Sequence, residues 1–482
     1  MILAPVLDPA QPTGLLLGAG FEQPNEDLVV ESPYSGDVVA RVAVGGPEDV
    51  ARAVSAALGH LPPPPAPERA AVLDRAAGLV GERADAFART IALEAGKPLK
   101  QSRAEVARCM DTLTFSAVEA RRLAGSLVPM EASAAGQGKL GLVLREPIGV
   151  IGAISPFNFP LNLVAHKVAP AIAAGCPVVL KPASSTPLSA LLLARALLDA
   201  GLPEGFLTVV PGGGGSVGNA IVDHPDVALI SFTGSGPVGW EIRHRQPRKD
   251  VALELGNSTP VIVAADADLD LAAAKLAGSG YTHAGQSCIS VQRVYVQRAV
   301  HDAFLERFVP RVEALVLGDP LDEETDVGPV IDAEARDRIL DWLGEARARG
   351  AEVVTGGDVV DGLIRPTVVT GIGTEMKLSC EEVFGPVVGV AAYDGPDEAV
   401  ALANSSPFGL QAGIFSARVD RALVWARGLR FGGVIVNETP TFRADQMPYG
   451  GVKASGNTRE GPAYAVERMT EPKLVVVDLP RD

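Results

Sequence analysis

The chain has 482 residues, of which 47% are hydrophobic and 21% charged, and its 58 Asp and Glu outnumber 42 Lys and Arg to give a net charge of −16. That length exceeds what one hydrophobic core supports, so two or three domains are expected, and the composition is that of a folded globular protein rather than a disordered or fibrous one. An acidic surface repels phosphate backbones and anionic headgroups, which argues against nucleic acid and membranes as partners.

Met1 to Gly20 contains no basic leader and is interrupted by Pro5, Pro9 and Pro12, so a signal peptide is not expected and a cytoplasmic location is. Pro47 to Gly59 and Glu68 to Glu94 read as helices, separated by the stiff Pro62 to Pro67 run. From Ile148 onward, β-rich runs alternate with helical patterns, the rhythm of a parallel α/β architecture. The predicted strands are Val150 to Ile154, Val178 to Leu180, Phe206 to Val210 and Val227 to Phe232. A helix lies between the second and third, with Thr186 as its cap, Pro187 at its first position and Gly201 at its end. The most apolar stretch, Ile148 to Leu180, is broken by prolines and by Asn158, His166 and Lys167, and no membrane span is expected. A second series has strands at Val261 to Ala264, Val291 to Val296, Val387 to Ala392 and Gly433 to Val436, with helices at Val300 to Val316, Ala333 to Arg349 and Asp397 to Ala403. Two α/β domains in tandem are the simplest reading.

The four cysteines, Cys109, Cys176, Cys288 and Cys380, are widely spaced without a CxxC or Cys/His cluster, so neither a metal site nor a disulfide framework is suggested. Cys288 stands apart because Gly285-Gln286-Ser287-Cys288 is small and polar and leaves a sulfur accessible; elsewhere a free cysteine is a small buried hydrophobe. Gly234-Ser235-Gly236-Pro237-Val238-Gly239 follows a predicted strand and fits GxGxxG, which suits a pyrophosphate at a helix N-terminus or simply a tight turn. Glu254 sits in an apolar run; buried, it makes a general base, and exposed, a strand-end acid. Asn158, in Pro156-Phe157-Asn158-Phe159-Pro160, is either an amide aimed at an oxyanion or a turn residue.

Together with Lys181-Pro182-Ala183, Glu382-Val383-Phe384-Gly385-Pro386 and Pro448-Tyr449-Gly450-Gly451-Val452-Lys453, these windows occur in an order that resembles the aldehyde dehydrogenase superfamily from about Asn25 to Val477. The resemblance implies a Rossmann-like coenzyme domain (1–122 and 147–253), a related α/β catalytic domain (254–452) and a small β flap (123–146 and 469–482) that pairs subunits into a homodimer or homotetramer, with 453–468 connecting them. It implies oxidation of an aldehyde to an acid with NAD or NADP: Cys288 attacks the carbonyl carbon, Asn158 and the Cys288 N–H hold the oxyanion, and Glu254 activates the water that releases the acid. That chemistry makes Glu254 a base, although the dinucleotide fingerprint taken alone would make it a ribose ligand. Ile154, Pro156, Lys181, Ser184, Gly218, Thr233, Gly234, Ser235, Glu382 and Phe384 fall at the coenzyme positions. A CoA-acylating relative is the first rival, disfavoured by the presence of Glu254; a non-catalytic relative that keeps the fold is the second.

Three departures matter. Ser184 replaces the glutamate that repels a 2′-phosphate in relatives insisting on NAD, which admits NADP. Asn257 takes the place of a glycine, where an asparagine can still adopt positive φ. His166 and Arg443 align with positions that are commonly aromatic in relatives handling apolar aldehydes, and an arginine there favours a short hydroxylated or anionic aldehyde; the runs Phe442 to Pro448 and Pro156 to Asn162 look most like the lactaldehyde and phosphonoacetaldehyde branch of the family. Alternatively, Arg443 pairs with Asp445 or another carboxylate as a loop staple.

Overall fold

The structure, a computed structural model, describes residues 15–17, 20–22 and 27–480. Two seven-stranded sheets with helices packed on them make up the bulk of the fold, and a three-stranded sheet stands apart. In the first sheet Asp250–Glu254, Val227–Thr233, Val150–Ile154, Val178–Lys181 and Leu207–Val209 lie side by side and parallel, and Leu15–Leu17 and Gly20–Glu22 add an antiparallel edge. Val150–Ile154 and Val178–Lys181 are buried at every residue, as strands covered on both faces must be.

The winding of this sheet reverses between Val150–Ile154 and Val227–Thr233, which are neighbours although two other strands separate them in the chain. In open parallel sheets ligands settle outside the carboxyl ends of the strands at such a reversal. Ile154, Lys181, Thr233 and Glu254 are the last residues of their strands, so all four stand on that rim.

The second sheet runs Glu352–Thr355, Thr367–Thr370, Val387–Tyr393, Val291–Gln297, Thr259–Val263, Gln411–Phe415 and Gly433–Val436, parallel except for the first. Only Leu255 to Ser258 join Glu254 to this sheet, so the carboxyl rim of the first layer faces the amino rim of the second. Cys288 and Glu382 lie just before Val291–Gln297 and Val387–Tyr393, and share that amino rim.

Thr470–Asp478 pairs antiparallel along its whole length with Lys139–Pro147, which also carries Ser126–Val128. Beyond Thr470 the strand is exposed, Leu474 and Val476 included.

Local chemistry explains where sequence expectation and structure part. Glu68 to Glu94 is two helices, Ala66–Glu82 and Ala84–Ala95, because the chain leaves helical geometry at Arg83 (φ −108°, ψ 18°). Thr186 does not cap the helix Leu188–Asp199: its hydroxyl donates to Phe157 O, and the buried carboxylate of Glu94 accepts from Leu188 N at 2.7 Å and Ser189 N at 2.9 Å instead. Pro187 is the cap position rather than the first turn. The helix Leu99–Arg122 carries no clean apolar stripe, because Ser102, Glu105, Thr112 and Ser116 share its buried face with Leu99, Val106, Cys109 and Leu113. The helix Asn162–Ala174 is buried at every position, His166, Lys167 and Pro170 included. Among the described residues no helix is long and apolar enough to cross a membrane.

Candidate active site

The loop before Cys288 is held in an uncommon shape. His283 (φ 51°), Ala284 (φ 52°) and Gly285 (φ 74°) are successive left-handed residues, and a Cβ on Gly285 would lie 2.0 Å from Gly385 O. Gln286 locks the turn from inside: its amide donates to His283 O and Pro329 O, and its carbonyl oxygen accepts from Ile331 N at 2.8 Å. Backbone strain of this kind persists where surrounding contacts over-determine it, and it concentrates at functional sites.

Cys288 and Cys380 are half-buried, so Cys380 departs from the buried reading expected of it, while Cys109 and Cys176 are buried outright. The Cys288 sulfur lies 2.9 Å from the Tyr449 hydroxyl, and burial pushes the thiol up to about 12. Asn158, on the loop after Val150–Ile154, is buried and donates from Nδ2 to Gln286 O at 2.9 Å, which sets its amide against the cysteine loop.

Glu254 is 4% exposed, and neither carboxylate oxygen has a hydrogen-bond partner among the described residues. The exposed strand-end alternative is thereby excluded. Burial, and then the Glu460 carboxylate, hold its pKa well above the usual carboxylate range. Room for it comes from Gly450, where a Cβ would lie 2.7 Å from Oε1. Glu460 shows the opposite behaviour: against burial, Lys167 and Arg443 keep it ionised. Two nearby carboxyls with pKa values driven apart are the pattern of an acid and base division of labour.

A cavity of about 220 Å³ opens onto the sulfur, with Lys97, Arg108, Phe159, Arg443 and Tyr449 in its wall. Each cation there is paired: Lys97 with buried Glu105, Arg108 with Asp445 through two hydrogen bonds, and Arg443 Nη2 with Glu460 Oε2 at 3.0 Å. The pairing of Arg443 with a loop carboxylate does form, but with Glu460 rather than Asp445, because Asp445 is taken by Arg108, Asn162 and His166. Arg443 Nε is buried with no hydrogen-bond partner among the described residues. His166 does not line this cavity; it lies behind Arg443, with Nε2 2.8 Å from Asp445 Oδ1 and 3.1 Å from Arg443 Nη2. Burial and the Arg443 charge hold its ring down to about 4, so it is a neutral prop.

The coenzyme positions gather on the rim of the first sheet. Lys181 is 5% exposed, donates only to Pro182 O at 2.9 Å, and has no carboxylate partner among the described residues; burial holds its ammonium at about 8. Gly218 opposes it, since a Cβ there would come 3.6 Å from Lys181 Cδ. The Ser184 hydroxyl donates to Gly212 O at 2.9 Å. Gly234 N donates to Glu254 O at 3.2 Å, and Ser235 stands at the N-cap of Gly236–Arg245 without using its side chain as a cap. Ile154 is buried and Pro156 half-buried beside them. Thr233 Oγ1 is occupied, accepting from Lys167 Nζ at 2.6 Å. Across the cleft, Glu382 accepts from Asn257 N at 2.9 Å, burial holds its carboxyl at about 7, and a Cβ on Gly256 would lie 2.3 Å from its Oε2. Phe384 (φ 49°) packs edge-on against Phe157, ring centroids 5.8 Å apart. Asn257 is not among the residues with positive φ; it is buried and bonds Thr259 Oγ1 and Gln411 O, so its role is to brace the rim.

A buried cation with no carboxylate partner among the described residues, on the carboxyl rim of a parallel sheet, suits the phosphates of a dinucleotide. The residues thus fit NAD or NADP. Sequence reasoning missed Lys97, Glu105, Arg108, Lys167 and Glu460. Lys167 was visible as an ionisable residue in an apolar stretch; the others sit in mixed-charge segments that offer no such contrast.

The sequence model of the aldehyde dehydrogenase family matches residues 21–475. The chain is 42% identical to 3-sulfolactaldehyde dehydrogenase of Priestia aryabhattai, over 97% of this chain and 98% of that protein. Its fold superposes with a TM-score of 0.94 and 40% identity on aldehyde dehydrogenase 21 of Physcomitrella patens, solved with the reaction product succinate, covering 97% of this chain and 98% of that one. With glyceraldehyde-3-phosphate dehydrogenase GapN of Methanocaldococcus jannaschii, complexed with NADP, the TM-score is 0.90 at 36% identity, covering 94% and 100%. The chain belongs to the aldehyde dehydrogenase family and is an NAD(P)-dependent oxidoreductase that converts an aldehyde to a carboxylic acid.

Proposed function

We propose that this enzyme oxidises a short hydroxylated or anionic aldehyde, with Cys288 as nucleophile, Asn158 Nδ2 and the Cys288 N–H as oxyanion donors, and Glu254 as the base of the hydrolytic step. The thiolate sulfur bonds to the carbonyl carbon and the carbonyl π pair moves onto oxygen, where the two N–H groups meet it. Bound NAD or NADP supplies the hydride acceptor. Collapse of the thiohemiacetal leaves a Cys288 thioester, and Glu254 takes a proton from the water that attacks it. Its raised pKa makes it a stronger base once ionised. A built base with room reserved by Gly450 supports water rather than CoA as the acceptor of the acyl group.

The observation that carries the substrate class is Arg443, a guanidinium in the cavity wall with its side chain 4% exposed. A carboxylate, sulfonate or hydroxyl oxygen two or three bonds from the aldehyde carbon suits a guanidinium in that wall. The relative that acts on 3-sulfolactaldehyde and the neighbour solved with succinate both handle short anions, in keeping with this reading.

Lys181 without a counter-charge, beside small Ser184, supports NADP as at least as good a coenzyme as is usual in the family. The region 1–122 with 147–253 then holds the coenzyme, 254–452 carries the nucleophile and 453–468 connects them; residues 1–14, 18–19 and 23–26 of the first, and 481–482 at the end of the flap, lie outside the described residues. The exposed edge of Thr470–Asp478, in the flap 123–146 with 469–482, would pair subunits into a homodimer or homotetramer in the cytoplasm.

A panel of short aldehydes assayed with each coenzyme, with and without CoA, tests the reading. Glyceraldehyde, lactaldehyde, succinic semialdehyde and a sulfonated aldehyde should exceed propanal in kcat/KM. A ranking led by propanal, a requirement for CoA, or a preference for NAD above about a hundredfold, roughly 2.7 kcal/mol, would refute the corresponding part.

A further inference from the structure

Tyr449 touches the sulfur, yet the steps above give it no task. Its backbone is fixed on both sides: Tyr449 N donates to Glu460 O at 3.0 Å, and Glu460 N to Tyr449 O at 2.6 Å. The Glu460 carboxylate binds Arg443, whose guanidinium carbon lies 3.8 Å from the centroid of the Tyr449 ring. Tyr449, Glu460 and Arg443 thus close a ring of contacts that fixes the phenol, and Ile289 and Leu410 pack with it. The hydroxyl is held 2.9 Å from Cys288 Sγ in a residue only 3% exposed.

We propose that Tyr449 is a catalytic residue whose phenolic O–H donates to the Cys288 thiolate and keeps the nucleophile charged before attack, with Arg443 as the positioning residue that holds the ring. This rests on Cys288 being the nucleophile. Burial opposes the thiolate here, and the Tyr449 hydrogen bond works against that opposition. Among the charged groups facing the sulfur, Glu382 and Glu254 disfavour the anion and Arg443 favours it. Farther along the cavity wall, Lys97 and Arg108 are neutralised by Glu105 and Asp445. A hydrogen bond to the charged form favours that form. The thiol proton leaves to solvent, the sulfur lone pair forms the S–C bond, and the phenol keeps its own proton throughout. Once the charge has moved to the carbonyl oxygen, the phenol has less to donate to, so the hydrogen bond stabilises the free thiolate more than the adduct.

The size of the effect follows from two opposing trends. A hydrogen bond that lowers the thiol pKa by roughly one unit raises the thiolate fraction about tenfold and lowers its intrinsic nucleophilicity about threefold, a net gain of about threefold below the midpoint. The test compares the full chain, Tyr449→Phe, and a variant carrying ring-fluorinated tyrosine at 449, a more acidic donor. The rate of Cys288 alkylation by iodoacetamide is followed by mass spectrometry below neutral pH, alongside the melting temperature and the turnover of Cys288→Ser. The expected order is fluorotyrosine, then tyrosine, then phenylalanine, with Tyr449→Phe about threefold slower than the parent at unchanged melting temperature. Equal rates for phenylalanine and tyrosine, or no acceleration by fluorotyrosine, overturn the proposal. Should Cys288→Ser keep its turnover, the nucleophile assignment itself falls; loss of that turnover with unordered alkylation removes the role of Tyr449 alone.

Discussion

Lys181 and Arg443 are both buried cations on the rim of the site, and they are housed in opposite ways. Arg443 has Glu460 as a partner and the Tyr449 ring beneath it; among the described residues Lys181 has a single neighbouring carbonyl and no carboxylate. The charge of Arg443 is neutralised before anything binds, so on the proposed reading the guanidinium contributes geometry. That of Lys181 is left uncompensated among the described residues, and on the same reading an incoming anion completes it. One region is therefore stabilised in advance, while the other holds destabilisation that binding relieves.

The most disruptive way to break this contrast is Arg443→Ala. It strips Glu460 of its closest cation, and removing one partner of a buried pair costs about 3 kcal/mol, so the melting temperature should drop well below that of the parent. The KM for hydroxylated and anionic aldehydes should rise more than that for propanal; equal rises would show that the guanidinium only supports the fold.

Lys181→Met sharpens the contrast from the other side. The KM for NADP should increase about 10- to 100-fold, the worth of a hydrogen bond to a charged group, with the melting temperature unchanged or higher because a desolvated ammonium has gone. A large fall in melting temperature would mean that Lys181 is structural.

The smallest effect is in pH. Burial lowers the Lys181 pKa from 10.5 to about 8. A base with a depressed folded pKa takes stability away while it is charged: the penalty is full below about 8 and fades as pH climbs toward 10.5. The same proton is needed to meet a 2′-phosphate, so KM for NADP relative to NAD should climb as pH passes through about 8, by up to tenfold per unit, and this trend should vanish in Lys181→Met. A flat ratio in the parent would remove Lys181 from the phosphate site.

How far the sequence could be read depended on contrast. Strands such as Val150–Ile154 and Gly433–Val436 stood out because β-branched runs are bounded by glycine or proline, and the motifs around Cys288, Glu254 and Asn158 stood out by their order. The helices Leu99–Arg122 and Asn162–Ala174 did not: one buries serines and a glutamate among its leucines, the other has no polar face, so periodicity is silent in both. The charge network was illegible for a related reason. Arg108 with Asp445, and Lys167 with Glu460, are separated by some three hundred positions, and pairing at that distance is a property of the fold.

The four-residue passage from Glu254 to Thr259 has a mechanical consequence. Glu254 and Asn158 ride on one layer and Cys288 on the other, so if they act together as proposed, chemical competence gauges the alignment of two slabs. A slip of about 1 Å between them is enough to lose roughly a hundredfold in rate. Substitutions along that seam, even those distant from the cavity, would silence turnover while the protein still folds and still takes up its coenzyme.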